Sequence, residues 1–165
     1  VLLDLNGKTV TERLIERLKF SKLADFIVLC TSTNPNDEIL VKIAQENGIK
    51  WFRGSEEDVL ERYRGAAEEF GVDFIVSLTA DNPLIDPLYI DKTIELYKKS
   101  SPDFIVCKDL PFGTFCYGIK TEALKRVCQI KDEIDTEVWG GYFTQTGLFK
   151  VEYLKVEDLE SRHPE

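Results

Sequence analysis

The sequence predicts an α/β protein, a three-layer sandwich in which a mostly parallel, mixed sheet lies between helices. Three observations predict it. One tetrapeptide recurs as Asp25-Phe26-Ile27-Val28, Asp73-Phe74-Ile75-Val76 and Asp103-Phe104-Ile105-Val106. Each copy is a short continuous apolar run, the pattern of a strand covered on both faces. Each also follows an amphipathic helical stretch, so the repeated unit is the helix-to-strand step of a βαβ layout. The irregular spacing of the copies excludes a solenoid.

The helices carry start signals. Thr9-Val10-Thr11-Glu12 fits a capping box, with Val10, Leu14, Ile15 and Leu18 on one face. Asn36 is expected to cap a second helix that turns Ile39, Leu40 and Ile43 inward and ends at Gly48. Ser55 is expected to cap a third, with Val59, Leu60, Tyr63, Ala66, Ala67 and Phe70 on its apolar stripe. Phe74-Ile75-Val76 then reads as an interior strand. Asp86-Pro87 is an N-cap with proline in the first turn, and Ile90, Ile94 and Tyr97 face the core. After Leu110 the pattern changes. Pro111-Phe112-Gly113-Thr114 reads as a loop, Phe115 to Ile119 as a strand, and Thr121 through Leu124 and Val127 as a short helix. A helix around Glu137 to Phe143 and a strand at Phe149-Lys150-Val151 complete a mixed-sheet extension that closes over the ligand edge.

The chain has 165 residues, which fits a single domain over 1–165 with no linker. Its hydrophobic content of 43% and charged content of 31% are those of an ordinary globular protein. A net charge of −9 argues against nucleic acid or an anionic membrane as partner. It leaves room for a phosphorylated small molecule, since a bound divalent cation reverses the local sign. No apolar run reaches the length of a membrane span, and no basic-then-apolar leader is seen. Cys30, Cys107, Cys116 and Cys128 form no C-x-x-C pair, and His163 stands two residues from the end, so reduced thiols in a cytoplasmic protein are expected rather than a zinc site. A chain without methionine that begins at Val1-Leu2-Leu3 is expected to be a piece of a longer protein.

The chemistry-bearing residues cluster at two places. Asp81 follows the Phe74-Ile75-Val76 strand and precedes Asn82-Pro83, where that strand should surface. In open α/β sheets ligands bind outside the carboxyl ends of the strands. A carboxylate there either caps a turn or holds magnesium, which takes one or two carboxylates together with substrate phosphates. The second place is Arg53-Gly54-Ser55-Glu56-Glu57-Asp58. Ser55-x-x-Asp58 is explained by a capping box alone, yet a helix start also suits a phosphate, a ribose or a carboxylate. Arg53, just outside the cap, is either a solvated surface arginine or a bidentate anion donor. Arg62 and Arg64 have acidic residues within one turn (Asp58, Glu61, Glu68), so surface pairing is expected of both. The acidic run from Lys131 to Asp135 reads as a solvated loop, and Trp139, Tyr142 and Phe143 as core. The P-loop, the G-x-G-x-x-G and the G-x-S-x-G signatures are absent.

Two segments carry a resemblance. Trp51-Phe52-Arg53-Gly54-Ser55-Glu56-Glu57-Asp58-Val59-Leu60-Glu61-Arg62-Tyr63 resembles the F-R-G-S-E-x-D-V-L-x-R-Y segment of the SpsF-like spore-coat polysaccharide proteins. Those proteins belong with the cytidylyltransferases that make CMP-activated sugar acids. Thr79-Ala80-Asp81-Asn82-Pro83-Leu84-Ile85-Asp86-Pro87 resembles that family's T-G/A-D-x-P-L-I-D-P segment, and Gly7-Lys8 with Leu14 to Leu18 its first helix. The resemblance implies a nucleotide-diphospho-sugar transferase-like fold and transfer of CMP from CTP to a sugar or sugar acid. It implies that Asp81 binds Mg2+, with Thr79 and Asn82 flanking it, and that Arg53, Ser55 and Asp58 line the ribose or acceptor side. It also implies homodimerisation, a nucleotide-gripping strand and loop before Val1, and a second acidic segment of which Val156-Glu157-Asp158-Leu159 is a faint echo, so the chain is expected to be truncated at both ends and inactive alone. A nucleotide-sugar glycosyltransferase, a non-catalytic nucleotide-sugar binding module and a phosphoacceptor or flavodoxin-like domain are the alternatives.

Overall fold

The computed structural model describes residues 1–107, 110, 111 and 113–156. In chain order the elements are α1 (Val10–Leu18), β1 (Val28–Ser32), a 3-10 turn (Pro35–Asp37), α2 (Glu38–Glu46), β2 (Lys50–Gly54), α3 (Val59–Phe70), β3 (Phe74–Ser77), α4 (Pro87–Ser100), β4 (Phe104–Cys107), β5 (Tyr117–Lys120), α5 (Thr121–Ile130), α6 (Gly140–Thr144) and β6 (Val151–Leu154). β1 and β2 form a parallel pair, with Val28 opposite Lys50 and Ser32 opposite Gly54. The other strands run in the order β3-β5-β4-β6, with β5 antiparallel to both neighbours and β4 parallel to β6. The expected mixed sheet is present, divided into two among the described residues.

Helices cover the four-stranded sheet from two sides. On one, Leu60 of α3, Leu124 and Val127 of α5, and Trp139, Phe143 and Phe149 enclose Phe104 and Ile119. On the other, Leu14 of α1, Ile85, and Ile90 and Ile94 of α4 gather around Cys116, with Phe74 and Val76 against them. α3 also reaches the two-stranded sheet. Its Gly65 lies flat on the Phe52 ring, where an added Cβ would come within 2.6 Å.

The start signals at α1 and α4 form as expected. The Thr9 amide donates to the Glu12 carboxylate at 2.7 Å while the Glu12 amide donates to Thr9 Oγ1 at 3.2 Å. Asp86 caps α4 by accepting from the Leu88 amide at 2.9 Å. At α2 the cap moves. Asn34 accepts from the Asn36 amide and opens the 3-10 turn, so the α-helix begins at Glu38 and buries Val41, Ile43 and Ala44 while Ile39 is exposed. At α3 the N-cap is Asp58 rather than Ser55. The strand expected over Phe115 to Ile119 is Tyr117–Lys120. The helix expected from Glu137 starts at Gly140, because Thr136 is tied to the start of α3. The last strand starts at Val151, leaving Phe149 as a buried ring before it. All four cysteines are free, with Cys107 and Cys116 buried. No described helix is long and apolar enough to cross a membrane. Phe112, the Glu157-Asp158-Leu159 segment and His163 lie outside the described residues.

Candidate active site

The two predicted clusters each follow the carboxyl end of a strand, β2 for one and β3 for the other. At the end of β2, Arg53 is fixed by all three guanidinium nitrogens. Nε donates to the Ser32 carbonyl at 3.0 Å, Nη2 to the Asn34 carbonyl at 2.9 Å, and Nη1 to the Glu38 carboxylate at 2.8 Å. Its charge-assisted bonds thus clamp the loop after β1 onto α2. Ser55 is exposed, and its Oγ accepts from the Asp58 amide at 3.0 Å.

Asp58 is buried and committed to the interior. One carboxylate oxygen accepts from the Glu61 amide at 3.1 Å and from Thr136 Oγ1 at 2.9 Å, and the other pairs with Lys131. Thr136 in turn accepts from the Leu60 amide at 3.1 Å. Burial alone would raise the Asp58 carboxyl. The Lys131 ammonium, the Glu61 amide and the Thr136 hydroxyl outweigh it and hold the group below the usual aspartate value. The mirror case is Lys131, which burial would lower and the Asp58 partner raises. This buried pair joins α3 to a segment more than seventy residues later, a distance that helix-start patterns in the sequence do not reach.

At the end of β3, Ser77 donates to Tyr63 of α3 at 3.0 Å. The chain then turns at Thr79, whose carbonyl accepts from the Asn82 amide at 3.2 Å and whose Oγ1 accepts from Asn82 Nδ2 at 2.6 Å. Thr79 and Asn82 therefore close a tight turn with Asp81 at its exposed tip. Gly113 meets this turn from the facing loop. It has φ +83°, and an added Cβ would stand 3.0 Å from Asn82 Oδ1, so a side chain there would meet both strain and crowding.

The structure brings Ser55 and Asp58 together, and Thr79 and Asn82 together, while Arg53 points back to β1 and α2. Among the described residues the Asp81 carboxylate makes no hydrogen bond or ion pair. No described group of three or more His, Cys, Asp or Glu residues forms a protein-only metal cage. A single exposed carboxylate fits a divalent cation of the magnesium kind, which draws its remaining ligands from phosphate oxygens and water.

Arg62 departs from its expected surface pairing, and Arg64 keeps it. Arg64 pairs with Glu61 at 2.7 Å and Glu68 at 3.0 Å. Arg62 makes no ion pair among the described residues, and its Nη1 donates instead to the Ser55 and Glu56 carbonyls at 2.6 and 3.2 Å. The signal was available in the helical period: residues two apart face different ways, so the acids that serve Arg64 cannot serve Arg62.

The family model described as cytidylyltransferase matches residues 1–153. An uncharacterized protein of Methanocaldococcus jannaschii is 35% identical over 164 residues, 98% of this chain and 68% of its own length. The spore coat polysaccharide biosynthesis protein SpsF of Bacillus subtilis is 27% identical over 165 residues, 96% of this chain and 69% of its own. The solved structure of a cytidylyltransferase from Leptospira borgpetersenii is similar at a TM-score of 0.86 and 28% identity, covering 95% of this chain and 69% of that one. A match that runs from Val1 to Tyr153, on the fold that the Leptospira enzyme shares, makes this chain a member of the cytidylyltransferase family, and hence of the nucleotidyltransferases.

Proposed function

We propose that the protein transfers CMP from CTP to a hydroxyl of a sugar or sugar acid for surface polysaccharide synthesis, with Asp81 at the reacting phosphate. The carrying observation is the Asp81 carboxylate, exposed beyond β3 and without an internal partner among the described residues, beside a buried Asp58 whose bonds are all internal. The acceptor oxygen attacks the α-phosphorus in line. The bond from that phosphorus to the bridging oxygen of the β-phosphate breaks, pyrophosphate leaves, and the hydroxyl proton passes to solvent. Such a reaction asks for positioning and charge neutralisation more than for a protein nucleophile. Mg2+ held by Asp81 would supply that neutralisation at the α-phosphate. Thr79 and Asn82 fix the turn that presents Asp81, Ser55 offers its hydroxyl on the ribose or acceptor side, and Arg53 and Asp58 hold that side in place from behind. The likeness to SpsF supports the polysaccharide setting.

The test is calorimetric titration of CTP with Mg2+ into the full-length protein, together with pyrophosphate release from CTP and candidate sugar acids. Asp81→Ala should abolish Mg2+-dependent binding and lower turnover about 100-fold or more. Equal binding by wild type and Asp81→Ala would remove Asp81 from the metal site. CTP binding without pyrophosphate release would favour a binding module.

A further inference from the structure

The arginine read from the sequence as an anion donor at this edge, Arg53, has all three nitrogens occupied by the protein itself. Arg62 stands close by and does not. Gly54 ends β2, and an added Cβ there would come within 3.1 Å of Arg62 Cγ and 3.3 Å of its Cα, so glycine is what lets α3 carry Arg62 across the strand end. Nη1 anchors the side chain on the Ser55 and Glu56 carbonyls. Nε is withdrawn from solvent and has no acceptor, and Nη2 makes no hydrogen bond among the described residues. Nε and Nη2 form the side-on fork of a guanidinium, the edge that matches two oxygens of a phosphate or carboxylate. A buried donor left unpaired is costly, and the positive charge has no carboxylate partner in a chain of net charge −9.

We propose that Arg62 is an oxyanion receptor, its side-on fork taking two oxygens of a substrate while its Nη1 fixes the turn that carries Ser55. This deepens the cytidylyltransferase reading by placing a substrate anion beside the end of β2. The oxyanion comes either from the nucleotide phosphates or from the carboxylate of a sugar acid.

The test uses the full-length protein as wild type, Arg62→Lys, which keeps the charge and loses the fork, and Arg62→Gln, which loses both. Each is titrated with CTP, inorganic pyrophosphate, cytidine and a 2-keto-3-deoxy sugar acid, and melting temperatures are recorded alongside. Arg62→Lys should weaken oxyanion binding about tenfold and Arg62→Gln about a hundredfold, with cytidine affinity and melting temperature retained. Loss for CTP and pyrophosphate assigns the phosphates, and loss for the sugar acid alone assigns the carboxylate. Unchanged affinity for every oxyanion overturns the proposal, as does a fall in melting temperature with binding intact, which would give the fork to a polypeptide carbonyl. A loss shared by cytidine also overturns it. Wild type that binds pyrophosphate through Arg62 but not CTP leaves the proposal standing and removes the cytidylyltransferase reaction. Wild type that binds no oxyanion overturns both.

Discussion

The three Asp-Phe-Ile-Val copies begin as the same four residues and end in three environments. In the last copy Phe104 and Ile105 are fully buried, and β4 is hydrogen-bonded on both edges. In the middle copy β3 pairs on one edge only, its apolar residues are half-buried, and Phe74 stacks on Tyr97 at 3.9 Å between ring centres. In the first copy only Val28 enters a strand, and Phe26 is 41% exposed, edge-on to Phe70 with the Lys50 ammonium over its ring. Phe104 sits instead against Phe143 at 4.5 Å and Tyr117 at 5.6 Å, with Trp139 meeting it edge-on. Identical local preference therefore sets where a strand can start, and the neighbours set how much of it is buried. The rigid aromatic half lies behind β4, and the candidate chemistry lies on the less buried half, beyond β2 and β3.

This contrast breaks most directly at the phenylalanines. Phe104→Ala should cost about 3–5 kcal/mol in urea unfolding, as expected for emptying a filled aromatic core. Phe26→Ala should cost under about 1 kcal/mol, since its ring is largely in water. Equal losses at the two positions would show that burial does not separate the copies energetically.

The joint between the halves comes next. Lys131→Met removes the partner of the buried Asp58 carboxylate and should cost about 2–3 kcal/mol, below the full loss for a broken buried pair because Thr136 and the Glu61 amide remain. The sign of its pH dependence follows from the lowered Asp58 value. The carboxylate contributes stability above the ordinary aspartate range, and that contribution is lost as pH falls through the folded value. Melting curves at about pH 7 and pH 3 should thus show a larger acid-side fall for wild type than for Asp58→Asn. Parallel curves would mean that Asp58 is not ionised in the folded protein.

Gly118 sharpens the comparison at a smaller scale. It lies on β5 between β3 and β4, where an added Cβ would come within 2.6 Å of the Phe74 ring, 2.9 Å of Thr93 and 3.0 Å of Ile105. Gly118→Ala should cost about 1–3 kcal/mol by overpacking, and near-ultraviolet dichroism should report the displaced Phe74–Tyr97 stack. An unchanged spectrum with unchanged stability would show that β3 yields freely, making the middle copy softer than its stacking suggests.

The order of elements was legible because its causes are local. Capping boxes, proline in a first turn and apolar runs act within a few residues, so α1, α4 and the β-strand starts follow from the chain itself. The shifted starts of α2 and α6 show the limit, since the first came from a 3-10 turn led by Asn34 and the second from Thr136 bound to a helix far away in sequence. The candidate site divides the same way. The exposed position of Asp81 followed from a strand that ends before Asn82-Pro83, while the occupied fork of Arg53 and the unoccupied fork of Arg62 did not. What the sequence determined by itself was the alternation of helix and strand and the placing of polar residues at strand ends, because those depend on short-range periodicity and backbone hydrogen bonding. What only the tertiary structure decided was which of three identical strand starts became core, and which arginine kept its donors free, because both depend on partners brought from elsewhere in the chain.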